Sequence, residues 1–327
     1  MDIKDTPLEK NFTVGVDVGG QSAKIGIVDK HGIVIRKSRM STKDYGKDDA
    51  KKFVNDLAKA INKLIDESGK RAEIRGVGVG APNGNRLNGE IAFAPNLPWA
   101  ANGAVPFKDL LEKAVGGDLT VTITNDANAA AMGEMMYGAA MGMKNFIMIT
   151  LGTGVGSGIV INGQMVYGHD GFAGELGHTI AVRTNGRPCG CGRKGCLEAY
   201  CSAIGVAKTA KEWLAEGEPS LLLKKENIEA KDVFEAAKAG DPLAIRVFEY
   251  TGTILGRQMA EFIPFSAPEA IIIFGGLTGA KEFLEGPIVK AMNDNVLSLW
   301  KNKVKVLFSQ MEGDDAAIAG ASALAWE

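Results

Sequence analysis

The stretch FTVGVDVGGQSAKIGIVD, residues 12–29, is written a second time in the chain as FIMITLGTGVGSGIVING, residues 146–163. Each copy reads as a buried strand, a glycine-rich turn and a return strand. A duplicated hairpin of this kind limits the fold more than any other feature, because it predicts two related lobes. Backbone N–H groups in a glycine-rich turn can cradle a phosphate, and a carboxylate at a strand end, here Asp17, can orient a divalent cation. A tight hairpin explains either copy taken alone. Two such turns gripping one polyphosphate from both sides is the more specific reading of the pair.

The segments between the copies alternate in character. A third strand at 33–39 extends the first hairpin into an antiparallel meander. Phe53, Val54, Leu57, Ala58, Ile61, Leu64 and Ile65 recur at helical spacing on one side of 48–68. A strand follows at 74–80, then an irregular Asn-, Gly- and Pro-rich segment in which Asn96 and Trp99 are binding groups, turn punctuation or core anchors. TVTIT, 120–124, is a strand ending in Asn125-Asp126, with a helix over 127–137. Ligands in α/β folds collect at such strand ends; capping of the helix by Asp126 is the alternative role. Residues 202–262 are mostly helical, with Gly240-Asp241-Pro242 opening a helix. The chain closes with a strand at 269–276, a helix at 279–298, a strand at 304–308 and a last helix behind Gly313-Asp314-Asp315.

All four cysteines, and two of the three histidines, fall within 168–201. Cys189, Cys191 and Cys196 alternate with Gly190, Gly192 and Gly195, so the loop can fold back through positive-φ conformations and aim three thiolates at one point. Zinc takes four tetrahedral Cys and His ligands, and His178 is the fourth candidate. A buried reduced thiol cluster or a disulfide is the alternative, though Cys189 and Cys191 are too close for an unstrained bridge. Cys201 reads as a small buried hydrophobe. Glu175 and Glu198 flank the loop. A site closed by four protein ligands has no open position for chemistry, so its expected work is to fix these carboxylates and the far nitrogen of His178 against a polar ligand.

Net charge is -2, with 46% apolar and 23% charged residues, which argues against nucleic acid or an anionic membrane as partner. No apolar run is long enough to span a bilayer. The N-terminal MDIKDTPLEKNF lacks the apolar core of a signal peptide, and metal-spaced cysteines without an export signal fit a reducing cytoplasm.

DVGGQSAK, NDANAAA, LGTGVGSGIVING, GELGH, CGCGRKGCLEAY and FGGL, in this order, resemble the ROK sugar kinases of the actin-like ATPase superfamily. GELGH followed by CxCGxxGCxE is the most specific of these motifs. The resemblance implies an α/β fold of two actin-like (ribonuclease H-like) lobes with mixed sheets flanked by helices and an interlobe cleft. The small lobe is expected over 1–124 plus 314–327 and the large one over 125–313. It implies transfer of the ATP γ-phosphate to the 6-hydroxyl of a hexose, glucose first among the candidates, with fructose, mannose or N-acetylmannosamine as alternatives and a non-catalytic sugar sensor as another. Asp126 would be the general base. Asn96, Asn125, Glu175, His178 and Glu198 would hold the other hydroxyls. Gly19, Gly20, Gln21, Lys24, Gly152, Thr153 and Gly154 would line the phosphates, Asp17 would position Mg²⁺ through water, and Gly275 and Gly276 would let adenosine approach the backbone. His178, Cys189, Cys191 and Cys196 would hold structural Zn²⁺, and a homodimer is implied. Two positions depart from the family pattern. Gln21 replaces the usual Thr after the glycine pair. Asn83 stands in Gly80-Ala81-Pro82-Asn83 where the family has Gly, which bears on sugar preference. About a dozen residues precede the first strand, too few for the helix-turn-helix of the family's repressors.

Overall fold

The computed structural model describes residues 9–311 and 313–327. Residues 1–8, most of the segment read above for a signal peptide, lie outside the described residues. Two compact units emerge. One comprises Met1–Gly142, Tyr167–Ala173 and Met311–Glu327; the other comprises Met143–Val166 and Gly174–Gln310. The first therefore runs past the boundary expected at 124/125.

In the first unit the chain forms β1 (Phe12–Val18), β2 (Ser22–Asp29), β3 (Val34–Ser41), α1 (Ala50–Ser68) and β4 (Ile74–Gly80). The short β5 (Ile91–Ala92) and β6 (Ala104–Val105), α2 (Phe107–Ala114), β7 (Thr120–Thr124) and α3 (Asp126–Tyr137) follow. The second unit contains β8 (Phe146–Leu151), β9 (Val155–Ile161), β10 (Gln164–Met165), α4 (Glu198–Cys201), α5 (Ala203–Ala215) and α6 (Ala230–Lys238). It continues with α7 (Pro242–Ser266), β11 (Ala270–Phe274), α8 (Lys281–Asn295) and β12 (Lys305–Phe308), and α9 (Gly313–Ala323) returns to the first unit.

The duplicated hairpin organises both sheets the same way. Their strand orders are β3-β2-β1-β4-β7 and β10-β9-β8-β11-β12. In each, the first three strands are antiparallel and the last two join in parallel. The lobes are mixed α/β, as expected, because parallel neighbours need crossover helices and antiparallel ones only a turn.

In the first unit, the residues of α1 that lie buried are the seven picked out by their spacing. Phe53 stacks on Trp99 with ring centroids 4.6 Å apart, and Trp99 on Phe107 at 5.9 Å. Trp99 is thus a core anchor, 3% exposed, and not a binding group. On the other face of the sheet lies α9, seated on a row of paired glycines, Gly26, Gly15 and Gly78. Gly133 of α3 meets Gly320 of α9 so closely that a Cβ on Gly133 would fall 2.7 Å from the Gly320 Cα. This contact holds α3 in the first unit.

In the second unit, Ile147, Ile149, Ile271 and Ile273 of the sheet pack with Phe248 and Leu255 of α7 and Leu284 of α8. Asp241 caps α7, accepting from the Leu243 and Ala244 N–H groups, ahead of Pro242. No helix among the described residues is long and apolar enough to cross a membrane.

Candidate active site

The first unit brings Asp17, Gly19, Gly20, Gln21 and Lys24 to the turn between β1 and β2. The Gly19 N–H donates to the Ser22 carbonyl at 3.0 Å. Thr42, fully buried, donates its hydroxyl to the Gly19 carbonyl at 2.7 Å and its N–H to the Gln21 carbonyl at 3.2 Å. Nothing in the sequence pattern pointed to Thr42, which lies beyond β3 and fixes the turn from below. The Gln21 side chain is exposed. The Ser22 hydroxyl, next in the chain, accepts from Arg39 Nε at 2.8 Å. Lys24 Nζ pairs with Asp17 Oδ2 at 2.9 Å and with Asp314 Oδ1 at 3.3 Å. Burial works against the Lys24 charge, but the two carboxylates outweigh it and raise its pKa. A Cβ on Gly20 would lie 3.0 Å from the Asn96 carbonyl oxygen, so the turn and the Asn96 backbone are in direct contact. Asn96 itself is exposed.

Asn125 and Asp126 stand at the end of β7. The N-cap of α3 is Asn125, not Asp126: Asn125 Oδ1 accepts from the Asn128 N–H at 2.7 Å, with Asn125 backbone extended. Asp126 is the first helical residue and is exposed, and its Oδ1 accepts from the Ala127 N–H at 2.9 Å. The positive end of the helix favours a carboxylate there.

In the second unit the cysteine loop is a small hook. The Cys189 N–H donates to the Arg193 carbonyl at 2.9 Å and the Gly195 N–H to the Arg187 carbonyl at 2.8 Å. Gly195 has φ 81°, and a Cβ there would lie 2.0 Å from the Val182 carbonyl oxygen, so only glycine closes the hook. His178, Cys189, Cys191 and Cys196 place their donor atoms within 4.8 Å of one another. Cys189 Sγ is 3.6 Å from His178 Nδ1, and Cys191 Sγ is 3.6 Å from Cys196 Sγ. Tetrahedral bonds of ~2.3 Å set sulfur atoms roughly 3.8 Å apart, so the set fits a zinc-sized ion. Burial pushes the Cys189 thiol up to about 12. Cys201 stays out of the cluster, fully buried, and donates to the Thr251 carbonyl at 3.5 Å.

One residue that sequence reasoning passed over ties the hook down. Arg187 donates to Thr209 Oγ1 at 2.9 Å and to Glu212, lies 4.6 Å over the Tyr200 ring, and gives its N–H to the Tyr200 hydroxyl at 2.8 Å. An arginine beside a metal loop has no distinguishing mark in sequence.

Glu198 opens α4 and links the hook to the second glycine turn. Its Oε2 accepts from the Val155 N–H at 3.0 Å and its Oε1 lies 3.5 Å from Cys189 Sγ. A Cβ on Gly154 would come within 2.5 Å of Oε2, so this glycine makes room for the carboxylate. Glu175 is exposed on the short turn Leu176–His178. That turn is pinned to β9: Ser157 donates to the Gly174 carbonyl and accepts from the Leu176 N–H at 3.2 Å. Gly152 and Thr153 line a largely apolar cavity of about 910 Å³, with Ile204, Lys208, Phe234 and Leu277 among its walls. The size and lining suit a drug-sized organic ligand. Gly276 also lines it, whereas Gly275 packs on Leu151 of β8. Ile204 and Leu277 were not legible as wall residues, because apolar side chains near helix starts read as core.

Residues 13–327 match the ROK family. A glucokinase of Halalkalibacterium halodurans is 37% identical over 319 residues, 96% of this chain and 94% of its own length. A ROK family glucokinase from Streptomyces griseus, solved in complex with glucose and AMPPNP, superposes with a TM-score of 0.76 at 33% identity, over 95% of this chain and 98% of that one. A ROK family transcriptional regulator, a homologue of the E. coli MLC protein, superposes with a TM-score of 0.86 at 26% identity, over 98% of this chain and 79% of that one. With the thiol hook, the two glycine turns and the Asn125-Asp126 strand end all in place, the chain belongs to the ROK family.

Proposed function

We propose that this protein is an ATP-dependent hexose 6-kinase with glucose as its preferred substrate. The observation that carries the reading is similarity to glucokinases along nearly the whole chain, at 37% identity over 96% of it. In this reading the sugar 6-hydroxyl gives its proton to Asp126 as its oxygen attacks the γ-phosphorus, and ADP leaves with the bridging oxygen. Asn125 spends its Oδ1 on the helix cap, so it offers the sugar its amide N–H groups. Asn96, Glu175, His178 Nε2 and Glu198 take the remaining hydroxyls, and a hydroxyl missing from an analogue leaves one of them unpaired. The adenosine takes the apolar cavity, and the turn Gly152-Thr153-Gly154 faces its phosphates with the Thr153 N–H, the Gly152 N–H closing the turn on the Gly154 carbonyl at 3.0 Å. Lys24 neutralises phosphate charge. Asp17, whose Oδ2 Lys24 already holds, would position Mg²⁺ through water, and the ion would supply charge neutralisation at the phosphates. A cytoplasmic homodimer is part of the same reading.

His178, Cys189, Cys191 and Cys196 would hold zinc in a structural role, which would make Cys189 and His178 one rigid body beside Glu198. Cys191→Ser is expected to weaken zinc retention by more than the ~10–100-fold that outer-shell partners cost, and sugar affinity with it. Metal content by mass spectrometry and sugar binding by calorimetry check both, and intact affinity in the metal-free variant would contradict the scaffold role.

An ADP-release assay over hexoses and N-acetylhexosamines, with ATP and with polyphosphate as donors, tests the activity. Silence on every sugar would overturn it. A second reading, a sugar sensor without turnover, draws on Gln21 in the phosphate turn and on the regulator's similarity. Sugar binding with no ADP formed would select it.

A further inference from the structure

Asn83 and Phe93 both have left-handed backbones, at φ 53° and φ 52°. The left-handed region is tolerable for asparagine but a true outlier for a phenylalanine. Such an outlier persists only when its surroundings over-determine it. Here the Phe93 N–H donates to the Gly103 carbonyl at 3.3 Å and the Ala94 N–H to the Ala100 carbonyl at 3.1 Å, and one side chain holds the carbonyls on either side. Asn83 Nδ2 donates to the Ala92 carbonyl at 3.0 Å and to the Phe93 carbonyl at 3.0 Å, spending both its amide hydrogens on the two peptides that flank the outlier. No core packing does this work at residue 93, because Phe93 is 66% exposed.

Both ends of the clamp lead toward the site. Asn83 sits in the turn after β4, which is tied to the end of β7: the Ala81 N–H donates to the Thr124 carbonyl at 3.0 Å, one residue before Asn125-Asp126. A Cβ on Gly84 would lie 2.4 Å from that same carbonyl oxygen, so this turn and the strand end move together. Phe93 is followed by a tight turn in which the Leu97 N–H donates to the Ala94 carbonyl at 3.0 Å, and that turn carries Asn96. The clamp therefore joins the strand end that carries Asp126 to the loop that carries Asn96.

We propose that Asn83 is a positioning residue for the sugar: its amide locks the 92–93 backbone in the conformation that holds Asn96 in register with Asp126. The proposal rests on Asn96 and Asp126 as sugar-facing groups. It also accounts for the departure from the family's Gly-x-Pro-Gly turn. Asparagine is the side chain best suited to replace glycine at positive φ, and the gain is the clamp.

The decisive variant is Asn83→Gly, which keeps the turn conformation and deletes only the amide. We expect its glucose KM to rise ~10-fold, the scale of two lost amide–carbonyl hydrogen bonds, with kcat and the KM for ATP within about twofold of the parent. In the double variant Asn83→Gly/Phe93→Gly a glycine takes φ 52° without help, so the glucose KM is expected to return toward the parent value. A merely structural role would lower thermal stability without this split or this rescue. An unchanged glucose KM in Asn83→Gly, an equal rise for ATP, or no rescue in the double variant would each overturn the proposal. Chymotrypsin cleavage after Phe93 gives a readout independent of sugar, with faster cleavage expected in Asn83→Gly. If the parent protein neither binds nor phosphorylates a hexose but cleavage still accelerates, the kinase reading falls and the clamp stands. Equal cleavage rates would sink the clamp itself.

Discussion

Asp126→Asn should lower kcat for hexose phosphorylation by ~10²–10⁴-fold, the usual contribution of a positioned general base, while leaving sugar affinity within a few-fold. The substitution changes little else. Asparagine is isosteric, it remains the first residue of α3, and its Oδ1 can still accept from the Ala127 N–H as Asp126 does. What it cannot do is take a proton. The loss corresponds to about 3–5 kcal/mol in the barrier. Because the defect lies in the transition state alone, kcat and kcat/KM should fall together. The neighbouring position gives the contrast: Asn125→Ala removes the helix cap, which costs ~1 kcal/mol of stability and shows in thermal melting. Single-turnover rates with saturating ATP, beside calorimetric sugar affinity, separate the two. An Asp126→Asn enzyme at full rate would remove Asp126 from the chemistry.

Much of this layout is legible in the residues because local chemistry and tertiary structure agree. The stripe on α1 is one-sided, and the same seven residues are buried. The hook announces itself because four metal-type donors and their glycines share one short stretch, and the fold brings all four donors together. The repeat of the glycine hairpin predicts two lobes, and the two sheets have the same order of strands. What stayed hidden depends on partners remote in sequence. Thr42 is an ordinary polar residue until the Gly19 carbonyl is seen above it. Asn83 looks like turn punctuation until its amide meets two carbonyls nine and ten residues on. The cavity walls come from α5, α6 and the segment after β11, and an exposed Ile204 carries no mark of a ligand. The lobe boundary expected at 124 stops short of α3, which belongs to the first unit. The Gly133–Gly320 contact, which keeps α3 with the first sheet, leaves no trace in periodicity.

A methyl group at Gly78 is expected to be among the most costly single changes outside the chemistry. Gly15 and Gly78 are register partners on adjacent strands. A Cβ on Gly15 would lie 1.9 Å from the Ile318 carbonyl oxygen, and a Cβ on Gly78 would lie 1.9 Å from that of Ala321. These obstacles are backbone atoms of a helix and cannot swing aside as a side chain would. Relief requires α9 to rise off the sheet by roughly 1.5 Å, the gap between this separation and ordinary contact. The far side is blocked too, since a Cβ on Gly320 would already meet the Ala129 carbonyl oxygen at 2.9 Å. A raised α9 therefore presses on α3, the helix that carries Asp126, and opens a gap beneath Ile318 and Ala321, 1% and 0% exposed. Gly78→Ala should cost about 3 kcal/mol, the upper part of the range for overpacked cores, and lower the melting temperature by ~6–12 °C. Gly15→Ala should behave alike, and the double variant should cost less than the sum, because one shift of α9 relieves both collisions. Gly103→Ala, where a Cβ meets nothing within 4 Å, is the control and should stay within ~0.5 kcal/mol of the parent. If Gly78→Ala melts with Gly103→Ala, the helix is not seated on these glycines, and the close sheet–helix contact that sets the position of α3 is lost as an explanation.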